Sequence, residues 1–188
     1  MVATKQLPTR SAVPEELTWD LTPIYADQAA YEADIAQVKA AIPTVTALKE
    51  TFTSSADTVL AGIQAVLALY RRLEKVAVYA SLKSDQDTGN STNAALDDQA
   101  SSLTAKVSAA TAWFEPAILE LTPGELDAYL DEHVDLRDYR HLLDTIRLQK
   151  GHVLSESEEA LLAGASDIFG ASAKTFGVLN NADFQFPT

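Results

Sequence analysis

The chain has 188 residues, of which 47% are apolar, with no cysteine and a formal net charge of −13. That length and apolar content suit one substantial core, or two smaller ones, and exclude a wholly disordered chain; the missing cysteines exclude disulfides and thiol chemistry. The acidity serves solubility and argues against nucleic acid and anionic membrane surfaces as partners, since both repel it. No apolar run reaches the roughly 18 residues of a membrane span. Met1–Lys5 begins without the apolar stretch of a secretory signal, so a cytoplasmic location is expected.

In chain order, residues 1–26 read as an extended arm, because Pro8 and Pro14 punctuate a polar opening. Trp19, Leu21, Ile24 and Tyr25 are expected to pin this arm to the body, with the tryptophan as a packing anchor. A helical bundle follows over 27–181. Asp27 is a good N-cap for a helix to about Ala41, with Tyr31, Ile35, Val38 and Ile42 inward and Pro43 ending or kinking it.

The body is organised around Ser55 to Leu121, which reads as two long helices folded back on each other at 85–90. Val59, Ile63, Val66, Tyr70, Leu73, Ala77 and Ala80 recur in steps of four and three, as do Leu96, Ala100, Leu103, Val107, Ala110, Phe114, Ala117 and Leu121. Each series puts one apolar seam on its helix, and two seams joined by a short polar connection pack antiparallel. Ser55 or Asp57 caps the first arm. The predicted fold is therefore all-α: an elongated bundle built on a long antiparallel hairpin.

Thr122-Pro123-Gly124-Glu125 is a capping box with proline at the first helical position. A further helix is predicted over 136–147, with Leu136, Tyr139, Leu143 and Ile146 inward and Gly151 as its stop. Ser155 and Glu158 form a second capping box that opens a helix through Leu161 and Leu162; Gly164 allows a break before a last helix from Ser166 to about Leu179. From Ala182 to Pro187 apolar and polar residues alternate, and 182–188 read as the start of a strand.

Chemistry is sparse. His133, His141 and His152 are the three histidines, and none stands in H-E-x-x-H or H-x-H. His141 and Asp144 share a helix face but read as a solvated pair, and His152 as a helix-start hydrogen-bonding group. Asp97-Asp98 and Glu158-Glu159 lie at helix starts, where carboxylates favour the positive dipole end. Arg71-Arg72 reads as a solvated or ion-paired couple. Neither a nucleophile-elbow serine nor a glycine-rich phosphate loop is present. No catalytic residue and no metal ligand is assigned, and no substrate-binding residue is identified.

Four stretches in order resemble the oligoendopeptidase F family of zinc metallopeptidases. They are Glu15–Tyr25, Tyr79–Asn90, His152–Leu162 with the pattern H-x-L-S-x-x-E-E-x-L-L, and Phe176–Phe186. The resemblance covers essentially the whole chain. It implies a cytoplasmic enzyme that cuts short peptides, with an all-helical body around a deep channel. It also implies a zinc held by the two histidines of H-E-x-x-H and a later glutamate. That motif is absent here, so the resemblance extends to the amino-terminal helical part alone. The chain is expected to hold no cofactor, with zinc in the full-length parent, and to lack peptidase activity by itself. Its expected partners are the missing carboxy-terminal catalytic region, starting after the strand at 182–188, and oligopeptide substrates of the parent. Apolar surface left bare in a fragment is expected to drive self-association. The alternative is a free-standing helical module for protein interaction or oligomerisation.

Overall fold

The structure is a computed structural model that describes residues 9–150 and 154–184, and every regular element among them is helical. Two short 3-10 turns, Arg10–Ala12 and Glu15–Leu17, lead in. Leu21 and Tyr25 are buried, whereas Trp19 is 55% exposed and is not the expected anchor. The cause is a local turn. Asp20 Oδ1 accepts hydrogen bonds from the Thr22 amide at 2.9 Å and its hydroxyl at 2.7 Å, which directs Leu21 inward. The Trp19 carbonyl, not its ring, is what engages the body, accepting a bond from Gln86 at 2.9 Å.

Helix α1 spans Gln28–Ala47, opened by Asp27, whose carboxylate accepts the Ala30 amide at 2.8 Å. It continues through Pro43, where an end or kink was expected. A proline inside a helix costs about 3 kcal/mol through its lost donor and its clash with the preceding turn. Burial of Val45, 3% exposed, rewards the extra turn, and the Thr46 hydroxyl bonds back to the Ile42 carbonyl at 2.9 Å.

Helix α2 spans Ala56–Gln86, 31 residues, or about 46 Å at 1.5 Å per residue. Ser55 caps it, exchanging bonds with Thr58. Asn90 opens α3, Ser91–Thr111, by accepting the amides of Thr92 and Asn93. The two helices run antiparallel: Asn93 donates to the Lys83 carbonyl near the turn at 2.9 Å, and the Tyr70 and Thr111 hydroxyls meet at 2.8 Å toward the other end. The inward face of α2 is wider than one seam. Leu69, Val76 and Tyr79 are buried, while Tyr70 is 38% exposed and Ala77 half-buried. α2 packs against both α1 and α3, so it needs two adjoining stripes rather than one.

The second arm does not run to Leu121. It breaks at Ala112–Trp113, and α4 spans Phe114–Glu120. Pro116 explains the break, since in a continuous helix its ring would strike the Ala112 carbonyl four residues back. Three residues into a new helix, its missing donor costs nothing, because the first turn has no intrahelical acceptors. The break also lets Trp113 and Phe114 both turn inward onto Phe52, with ring centroids 5.1 and 5.5 Å from it.

Helix α5 spans Pro123–Glu132, with the Thr122–Glu125 capping box in place. Residues Val134–Tyr139 form 3-10 turns, so α6 is shorter than predicted, Arg140–Leu148. Arg137 causes this shortening. It reaches back to the Leu130 and Asp131 carbonyls at 2.7 and 3.1 Å, satisfying acceptors at the end of α5. Leu136, Leu143 and Ile146 are buried as the spacing required. Helices α7, Glu156–Gly164, and α8, Ser166–Val178, follow. Leu179–Asp183 form a π turn that includes Ala182 and Asp183, and Phe184 is extended. Gly151 and the rest of the expected strand, 185–188, lie outside the described residues.

Candidate functional site

No group of three histidine, cysteine or carboxylate side chains that could hold a metal occurs among the described residues. His141 and Asp144 are both exposed. His152 lies outside the described residues. His133, at the C-cap of α5, places Nε2 3.3 Å from Asp57 Oδ1 at the start of α2, while its Nδ1 is buried without a hydrogen-bond partner. This links two helix ends and brings no nucleophile or third ligand with it. Glu158 accepts from the Ser155 amide at 2.9 Å and hydroxyl at 2.6 Å, and Glu159 from the Leu154 amide at 3.1 Å. Those bonds hold the Glu158 carboxyl below its ordinary range, and the Thr122 bonds do the same for Glu125. These carboxylates are helix starts rather than acids poised for proton transfer.

Arg72 of the arginine pair lies 3.5 Å from Asp34, which also faces Lys75 at 3.7 Å and accepts the Tyr25 hydroxyl at 2.8 Å. The Lys75 ammonium sits 4.1 Å above the Tyr25 ring, and Tyr25 packs edge-on against Tyr31 and Tyr79. Burial, then the bond to anionic Asp34, pushes the Tyr25 phenol up; burial does likewise for Tyr31. The cluster clasps the arm at 20–27 onto α1 and α2. Asp34 is engaged by Arg72, Lys75 and Tyr25, whereas the buried Tyr31 hydroxyl has no hydrogen-bond partner.

A cleft of about 360 Å³ lies between α2, α3, α4, α6 and α7, lined by Val66, Tyr70, Phe114, Ile146 and Glu159 among others. A separate surface feature is α8. Lys174 points to α3 and contacts Asp97 at 3.5 Å and also Asp98. These contacts raise the lysine's pKa, the Asp98 bond foremost. On the opposite side stand Ile168, Phe169, Phe176 and Leu179, at 75%, 65%, 66% and 37% exposure. The sequence carries this signal, because 168, 169, 176 and 179 share one side of a 3.6-residue helix and Lys174 falls on the other.

A family profile described as oligopeptidase F matches residues 118–186. Group B oligopeptidase PepB of Streptococcus agalactiae is 40% identical over 95% of this chain, and oligopeptidase PepF of Bacillus subtilis 40% identical over 97%. The chain spans 30% and 27% of those two relatives. The crystal structure of oligoendopeptidase-F from Enterococcus faecium superposes with a TM-score of 0.81 at 44% identity, over 84% of this chain and 30% of that one. With the helical architecture, these matches identify the chain as an amino-terminal helical region belonging to the oligoendopeptidase F family.

Proposed function

We propose that this chain is the non-catalytic amino-terminal domain of a cytoplasmic zinc oligoendopeptidase, in which its helices wall the substrate channel and restrict substrates to short peptides. One observation carries the reading. The chain is similar over nearly its whole length to proteins described as oligopeptidases, yet spans under a third of each. The residues present do not fit a catalytic zinc, since neither H-E-x-x-H nor a three-ligand cluster among the described residues is available, and no chemical step is assigned to them. What they supply is shape. Long helices locked by caps and by aromatic packing make a wall that keeps its form when a flexible peptide passes. A narrow passage admits an unfolded oligopeptide and rejects a folded protein by size alone. The cytoplasmic placement rests on the family resemblance and on a cysteine-free composition suited to a reducing compartment.

The test is a ladder of peptides of increasing length, offered to the full-length parent and to a parent lacking the region equivalent to 27–181. A relaxed length limit, or failure of the deleted parent to fold, agrees with the proposal. A deleted parent with unchanged stability and unchanged length preference contradicts it.

A further inference from the structure

We infer that the outward face of α8, continued by the first residue of the π turn, is a docking surface for the part of the parent polypeptide that this chain does not span, and that Ile168, Phe169, Phe176 and Leu179 are its contact residues. The inference deepens the proposed function and rests on it. Helix α8 is amphipathic in the inverted sense. Its lysine, Lys174, turns toward α3, where it meets Asp97 and Asp98, and its large apolar side chains are exposed. A surface helix normally puts its apolar stripe on the core. An inverted helix is stable when a second apolar surface covers the stripe, and a contiguous apolar patch of this kind marks an interaction site.

Three possible occupants differ in their chemistry. A strongly charged ligand gains nothing from four apolar side chains. A second copy of this chain would bring another net charge of −13 to the contact, and that repulsion opposes pairing. The remainder of the parent matches best. The relatives are more than three times the length of the matched region, and a covalently joined partner is held at high effective concentration.

Hydrogen–deuterium exchange of the 188-residue chain and of the full-length parent tests this. The amides of 168–179 should exchange roughly tenfold or more slowly in the parent. A parent carrying Phe169→Asp and Phe176→Asp should lose that protection while α2 and α3 keep theirs. Should the double variant fail to fold, Ile168→Cys serves instead. In this cysteine-free sequence the new thiol should alkylate readily in the isolated chain and at least tenfold more slowly in the parent. Equal exchange or equal alkylation in both proteins would overturn the inference. So would an isolated chain that sediments as a dimer and is dissociated by Phe169→Asp, with α8 unprotected in the parent. Failure of the channel reading is separable: the peptide ladder would then be insensitive to the helical region even with α8 protected.

Discussion

Gly62 sits inside α2 facing Phe52, and replacing it with alanine sets two effects of opposite sign against each other. Alanine favours a helix interior over glycine by about 1 kcal/mol. The added Cβ, however, would lie 2.5 Å from Phe52 Cε2 and closer still to Cδ2. The ring is 1% exposed and bounded by Trp113 and Phe114 at 5.1 and 5.5 Å, so it has no free direction in which to yield. Overpacking of a full core costs about 1–3 kcal/mol, and the absence of slack places this site at the upper end. The net loss is about 2 kcal/mol, which lowers Tm by about 4–8 °C in a chain of this size. Thermal unfolding followed by circular dichroism at 222 nm measures it. Combining Gly62→Ala with Phe52→Leu removes the clashing ring atoms, so the two costs should fail to add by about 1 kcal/mol or more. A Gly62→Ala protein with unchanged or raised Tm would refute the reasoning, since helix propensity would then outweigh the ring contact.

Thr122→Ala removes the cap of α5, where the Thr122 hydroxyl accepts the Glu125 amide at 3.3 Å; a loss of about 1 kcal/mol is expected, read as a Tm lower by about 3 °C. The raised phenol of Tyr25 means that the folded state holds this proton more tightly than the unfolded chain does. Its stabilising effect is therefore complete below pH 10 and declines as pH rises through the folded-state value, and Tyr25→Phe should flatten this alkaline loss in a urea titration. The lowered carboxyl of Glu158 gives the opposite sign: its contribution is present above its ordinary value of 4.5 and is lost as pH falls below it. Glu158→Gln should accordingly remove part of the fraying of α7 in acid, followed by exchange of its amides.

Much of this architecture is local and therefore readable from the chain. The caps at Asp27, Ser55, Thr122 and Ser155 use side chains within a few residues of the amides or hydroxyls they engage, and the inward positions of α1 and α6 follow one period. Sequence reading failed where an outcome depended on a neighbour or on competing local rules. The local cost of Pro43 predicts an end or kink, yet burial of Val45 carries the helix past it. Pro116, passed over inside an apparently unbroken seam, is what breaks α3 from α4. The second stripe of α2 answers to α1, a partner that no single-helix pattern reveals. Residue type alone makes Trp19 an anchor, while the Asp20–Thr22 turn decides its direction. For function, the motifs yielded a family and the absence of reactive groups, whereas the inverted face of α8 acquired meaning only when Lys174 was seen against Asp97 and Asp98.

Under the proposed function these residues are scaffold, and the reactive groups are carried by other parts of the parent. The most direct measurement is hydrolysis of a fluorogenic oligopeptide by the purified chain, with and without added zinc, beside the full-length parent. The account predicts turnover by the parent and only background from the chain under either condition. Zinc-dependent hydrolysis by the chain, abolished by a chelator and following the chain through purification, would contradict it.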